Sequence, residues 1–324
     1  MKSNNRFLEI DALRGFAAIS VVIYHYTARY IKLYPSDFDH YFKLLHGNLG
    51  VELFFIISGF VIFLTVQKTE TPFRFLIKRF IRLYPTYWIC LLFSYIITNS
   101  YGLQGKETTF YDLLINFSML QYGLLVPSID GVYWSLFHEL MFYFLIAFSF
   151  KFVKTKKLYV FTGLWLILYI INGIYHIRGV NLILNLEYAP LFISGMYFYK
   201  LTTEKKKLET LLIPLVSFIL YVVFNESIEE NIIIFFIFSL FYLNAYGKLK
   251  FIAYKPLLFL GSISYALYLI HQNLGYILLN ELYAYFGNYQ ILIIIPLIVS
   301  ILLAYVITEY LEKPILNYLR KKIN

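Results

Sequence analysis

Charged residues are scarce in this chain of 324, where lysine, arginine, aspartate and glutamate make up 15%. A water-soluble domain of that size needs far more polar surface, so a soluble class is excluded. Cysteine is scarcer still. Cys90 stands alone in an apolar run, so no disulfide can form within the chain and no thiolate metal site is present; no metal is expected. Long polar blocks are missing too, and one membrane domain over 1–324 with no soluble appendage is expected. After the opening "MKSNNRFLEI" the apolar stretch reaches about Tyr30. That is too long for the core of a signal peptide, and no small-x-small cleavage site follows, so a retained first span is expected.

What fills the chain instead is apolar: 60% of its residues are hydrophobic and 21% aromatic. Segments long enough to cross a bilayer fall near 10–30, 47–67, 83–100, 133–152, 158–175, 183–199, 209–224, 231–247, 257–280 and 290–311. The expected fold class is all-α, a polytopic bundle of about ten transmembrane helices. The longest connection, 101–132, holds an apolar stretch, "FYDLLINFSMLQY", that can dip into the membrane or pack on the bundle.

The formal charge of +9 is explained by the placement of the basic residues. Alternate segments carry Lys2 and Arg6; Lys68, Arg74, Lys78, Arg79 and Arg82; Lys151, Lys154, Lys156 and Lys157; Lys200 and Lys205–Lys207; Lys248, Lys250 and Lys255; and Lys313 with Arg320–Lys322. The segments between them hold Lys32, Lys43, Lys106 and Arg178. This bias puts both termini in the cytoplasm and makes a lipid bilayer, not nucleic acid, the partner of the basic charge.

Ionisable groups inside apolar spans are costly and face the bundle interior. In "LRGFAAISVVIYHY", Arg14 and His25 are eleven residues apart, about three helical turns, so they share one stripe at opposite depths. Helix rise places His25 in the outer half, and "SYALYLIHQ" puts His271 at nearly the same height. Glu52 in "GVELFF" and His138–Glu139 in "YWSLFHELMFY" start near the outer face of inward-running helices. Neighbours on a helix diverge by about 100°, so His138 and Glu139 cannot aim at one point. On the inner side, Arg79 and Arg82 in "PFRFLIKRFIRLYP" join Arg14 as a candidate anion site, since arginine forks suit phosphates.

Six segments together resemble the membrane acyltransferases of acyltransferase family 3, which includes bacterial O-antigen and exopolysaccharide O-acetyltransferases. They are "LRGFAAISVVIYHY", "GVELFFIISGFVIF", "KRFIRLYPTYW", "YWSLFHELMFY", "SYALYLIHQ" and "EKPILNYLRK", in the family's order along nearly the whole chain. The resemblance implies a multi-pass protein of the bacterial cytoplasmic membrane. It implies transfer of an acyl group, usually acetyl from acetyl-CoA, to a hydroxyl of a glycan or lipid-linked saccharide. It also implies that Arg14 and His25 match the family's functional arginine–histidine pair, Arg79 and Arg82 its arginines ahead of the third helix, and Glu139 its acidic residue. His138 has no counterpart to carry over. With about ten residues after Pro314, the chain resembles the stand-alone members without an appended hydrolase-like domain.

On this reading His25 is the general base and Glu139 its orienter. Arg14, Arg79 and Arg82 contact the phosphates of CoA. Glu52 either serves the site or caps its helix. His271 either binds the acceptor or makes a core hydrogen bond, and a protonated His271 or a tyrosine hydroxyl could serve the oxyanion. Tyr133 and Trp134 are placed to stack on a sugar. Gly59 fits close helix packing. The rival class is a proton-coupled transporter, since intramembrane histidines and glutamates also build relays.

Overall fold

A computed structural model describes residues 7–34, 42–204 and 207–323. Lys2, Arg6, Lys205 and Lys206 of the inward clusters lie outside the described residues. Within them the chain is helical and without strands.

The helices are α1 (Leu8–Tyr24), α2 (Tyr30–Leu33), α3 (Gly50–Gln67), α4 (Pro72–Tyr101), α5 (Phe110–Asn116), α6 (Trp134–Phe148), α7 (Phe150–Lys154) and α8 (Leu158–Tyr175). They continue with α9 (Arg178–Leu184), α10 (Ala189–Thr203), α11 (Leu208–Phe224), α12 (Ile228–Ala245), α13 (Lys255–Phe286), α14 (Ile294–Val306) and α15 (Lys313–Ile323). Two joints are π-helical: His25–Arg29 between α1 and α2, and Ile307–Glu312 between α14 and α15.

A helix underlies each of the ten expected spans. Length and composition alone admit seven of them as membrane crossings: Gly47–Gln67, Pro72–Tyr101, Gly131–Phe148, Leu158–Tyr175, Ile228–Ala245, Lys255–Phe286 and Gln290–Lys322. The other three are short as regular helix. α1 has 17 residues before its π turn, α10 has 15 and α11 has 17. Helices α8, α12 and α14 turn large apolar side chains outward, among them Leu164, Ile167, Phe235, Phe236, Ile298 and Leu302. With every backbone group bonded inside a helix, such faces suit lipid.

Local chemistry sets the helix ends. Thr109 and Asp112 close a reciprocal capping box on α5, the Thr109 N–H reaching Asp112 Oδ2 at 2.8 Å. Ser227 caps α12, and Glu229 and Glu230 sit in its first turn, where the helix dipole favours negative charge. Asn185 ends α9 at a φ of 51°, a left-handed position that asparagine tolerates.

The helices group into two compact units. One comprises the chain up to Arg14, Val51–Arg79 and His138–Leu258; the other comprises Gly15–Gly50, Phe80–Phe137 and the chain from Phe259. In the first, α3 crosses α10 with backbones in contact. A Cβ on Gly59 would lie 2.2 Å from the Phe192 carbonyl oxygen, and one on Gly195 2.0 Å from that of Ile56. Only glycine permits that approach, which is the packing role expected of Gly59. An aromatic stack fills this unit's core, with Phe142 4.1 Å from Phe192 and 6.0 Å from Trp165. In the second unit the π turn after α1 packs on α13 around another glycine. Gly275 leaves room for the Tyr26 ring, whose Cε1 stands 1.9 Å from where a Cβ would be.

Candidate active site

His25 opens the π turn at the end of α1. Such turns widen the helix by one residue and recur at functional sites. His25 Nδ1 is 2.9 Å from the Val21 carbonyl oxygen and 3.1 Å from His271 Nε2. His271 Nδ1 in turn lies 2.9 Å from the Tyr268 carbonyl oxygen and 3.1 Å from that of Leu267. The two rings meet edge to face at 4.9 Å.

These distances assign the tautomers by a chain of necessity. A carbonyl oxygen only accepts, so His271 Nδ1 carries hydrogen. A neutral imidazole has one N–H, so His271 Nε2 is an acceptor. His25 Nδ1 faces that acceptor and the Val21 carbonyl, so it must donate. The bare lone pair of His25 is then on Nε2. The network supplies what an unaided histidine lacks: one defined basic nitrogen in a fixed direction.

His271 is itself held. Tyr26 donates to the His271 carbonyl oxygen at 2.8 Å and lies 2.8 Å from Ser300 Oγ. Two residues on, Asn273 is fully buried and donates through Nδ2 to the Ile129 carbonyl oxygen at 2.8 Å and Thr98 Oγ1 at 3.1 Å. Its backbone N–H reaches Asp130 Oδ2 at 3.1 Å, while Asp130 Oδ1 accepts from the Val132 N–H at 3.2 Å. Asp130 therefore caps the turn leading into α6 and also ties it to α13. Burial pushes its carboxyl up to about 6, against the opposing pull of those N–H donors and of Lys106. Sequence reading passed over Asp130, though an aspartate just before the helical pattern "VYWSLF" is an N-cap signal.

In the other unit Glu139 is half-buried on α6. Its Oε1 accepts from the Tyr143 hydroxyl one turn on, and from Ser58 Oγ at 3.3 Å. Tyr143 also carries the Arg79 guanidinium, 5.9 Å from its ring centre, and Arg79 Nη2 donates to Thr65 Oγ1 at 3.0 Å. His138 points elsewhere, as helix geometry requires. Its Nδ1 is 2.8 Å from Asn185 Oδ1, and Asn185 Nδ2 donates back to the His138 carbonyl oxygen at 2.9 Å. The position an orienting carboxylate would need, His25 Nδ1, is taken by Val21 and His271.

The remaining expected residues fall as follows. Arg14 is half-buried on α1. Arg82 Nη1 donates to Glu312 Oε1 at 2.5 Å, with Glu312 only 5% exposed, and its guanidinium lies 5.2 Å from the Tyr265 ring centre. Arg82 is thus already matched to a carboxylate that sequence reading missed, which leaves it less able than expected to take a phosphate. Glu52 sits in the first turn of α3, its Oε2 buried without a hydrogen-bond partner among the described residues. Tyr133 is fully enclosed, with its hydroxyl on Ser94 Oγ at 3.3 Å and its ring 5.1 Å from that of Tyr87, so it has no face for a sugar. Trp134 keeps partial exposure, 6.4 Å from the Tyr122 ring.

Comparison with known proteins matches residues 7–309 to the model of a family described as an acyltransferase domain. ORF330 of Acidianus two-tailed virus, named as an acetyltransferase, is 25% identical over 282 residues, 81% of each chain. The exopolysaccharide production protein ExoZ of Rhizobium meliloti is 24% identical over 72% of this chain and 77% of its own. The acyltransferase MdmB of Streptomyces mycarofaciens is 26% identical over 46% of this chain and 40% of its own. No solved structure matches.

Proposed function

The chain belongs to the acyltransferase family matched over residues 7–309, and from that membership we propose that it moves an acyl group, acetyl in the first instance, from acyl-CoA to a hydroxyl of a cell-surface glycan. The observation that carries the reading is the bare Nε2 of His25, fixed by hydrogen bonds from its other nitrogen. Such a nitrogen takes the proton of an acceptor hydroxyl as the oxygen attacks the thioester carbon. The C–S bond then breaks, and the imidazolium returns the proton to the leaving thiolate. Acyl ester and free CoA thiol are the products.

His271 serves as the acceptor for His25 Nδ1–H, the part first expected of Glu139. Arg14 and Arg79 are the contacts for the donor's phosphates, with Glu139 holding Tyr143 beneath the Arg79 guanidinium. Arg82 contributes through its pair with Glu312. The acceptor class follows the exopolysaccharide protein among the relatives. The enzyme works in the cytoplasmic membrane of a bacterium, with both termini inward as the basic residues dictate. Membership in an acyltransferase family favours this reading over proton-coupled transport.

The test is acetyl transfer from radiolabelled acetyl-CoA into the glycan fraction of membranes that contain the full chain. His25→Ala is expected to lower the rate by on the order of 10²-fold or more. Transfer at the wild-type rate would remove His25 from the chemistry. Mass spectrometry of surface glycans with and without the protein identifies the acceptor.

A further inference from the structure

Attack on a thioester drives negative charge onto the carbonyl oxygen, and transfer at His25 needs a hydrogen-bond donor for it. His271 is unsuited. Its Nδ1–H is spent on the Leu267 and Tyr268 carbonyls, and its Nε2 accepts from His25. The tyrosines packed around the histidine pair are candidates, and most have committed their hydroxyls. Tyr26 bonds the His271 carbonyl oxygen and Ser300. Tyr268 bonds Ser135 and the Val132 carbonyl oxygen. Tyr30 donates to Asn280 Oδ1 at 2.7 Å, and Tyr34 to the Gln104 carbonyl oxygen at 3.4 Å.

Tyr276 differs. Its side chain is fully buried and, among the described residues, its hydroxyl has no partner. A buried orphan hydroxyl is costly and rare, and catalytic duty is one of the few reasons for one. Its ring centre is 6.4 Å from that of His25 and 5.8 Å from those of Tyr30 and Tyr34. Tyr276 lies five residues beyond His271 on α13, and helical side chains lean toward the N-terminus, back toward the level of the histidine pair. Tyr24, whose ring centre is 5.1 Å from that of His25, is half-buried rather than enclosed, and Arg29 and Asp130 are the charged groups acting on Tyr276.

We propose that the Tyr276 hydroxyl donates a hydrogen bond to the acyl carbonyl oxygen as it becomes the tetrahedral oxyanion. The step rests on His25 as base. The acceptor O–H gives its proton to Nε2, and its oxygen bonds the thioester carbon. The carbonyl π pair moves onto oxygen, where the Tyr276 O–H meets it. When that pair re-forms C=O, the C–S pair leaves with sulfur, which takes the proton from His25.

Tyr276→Phe deletes one oxygen that bonds nothing among the described residues, so fold and catalysis separate cleanly. In the radiolabelled acetyl-CoA assay on membranes containing the full chain, the maximal rate is expected to fall by on the order of 10²-fold. KM for acetyl-CoA should stay within about twofold, as it does when an interaction made only in the transition state is lost. The thermal unfolding midpoint of the purified variant should stay level or rise, because an unsatisfied buried hydroxyl has gone. A wild-type maximal rate, a raised KM alone, or a rate loss matched by a lower midpoint would each overturn the assignment. His25→Ala runs alongside. If it is inactive while Tyr276→Phe is active, only the tyrosine's role fails; if His25→Ala is active, the histidine reading fails and takes this one with it.

Discussion

A histidine ring has two nitrogens, and which one is basic depends on what the other faces. In His25 the question is settled by a ring 246 residues away. Replacing that ring tests the logic. Gln places an amide oxygen near where His Nε2 stood, so it can still accept from His25 Nδ1–H; Leu cannot. His271→Leu is therefore expected to lower the maximal rate of acetyl transfer by on the order of 10²-fold, with His271→Gln recovering much of it. Equal losses in both would mean that His271 serves packing alone. His25 and His271, which the structure brings together, stood out in sequence because an ionisable group in an apolar span is costly and so conspicuous. Tyr276 was not, because one tyrosine among 32 carries no such mark. Its distinction is a missing partner, which only packing reveals.

The π turn after α1 approaches α13 closely at Gly275, beside the histidine pair. Gly275→Ala would drive a methyl into the Tyr26 ring and break the bonds that Tyr26 makes to His271 and Ser300. A cost of about 1–3 kcal/mol is expected from such overpacking, read as a lowered thermal midpoint, together with loss of transfer. Gly163 in α8 has nothing within 4 Å of a built Cβ. There Ala should be neutral or stabilising by up to about 1 kcal/mol, since it favours helix over Gly. Helix positions followed from the run of apolar residues, as with α8 and α11, found within a residue of the expected spans. The two π turns did not, because one extra residue in a turn leaves no trace in hydrophobic periodicity. Glu312 was missed for the same reason. It ends the second π turn, and its match to Arg82 is a contact across 230 residues.

Across the chain as a whole, orientation is the property most open to direct test. Cys90 is buried and is the one cysteine, so thiol labelling starts from a quiet background. In intact cells a membrane-impermeant maleimide is expected to label Lys106→Cys and Arg178→Cys. Lys156→Cys should label only after the membrane is opened, and labelling of all three in intact cells would refute the orientation. That prediction rests on amino-acid order alone. So do the membrane setting, the helical class and the family, because hydrophobicity, charge bias and motif spacing are written along the chain and need no partner to act. Folding settled which polar groups meet. It gave His25 a histidine as its partner, matched Arg82 to Glu312, enclosed Tyr133 and left the Tyr276 hydroxyl unsatisfied among the described residues. Each is a meeting of residues far apart in sequence, fixed by distances of a few ångströms to which hydrogen bonds respond and which residue order does not encode locally.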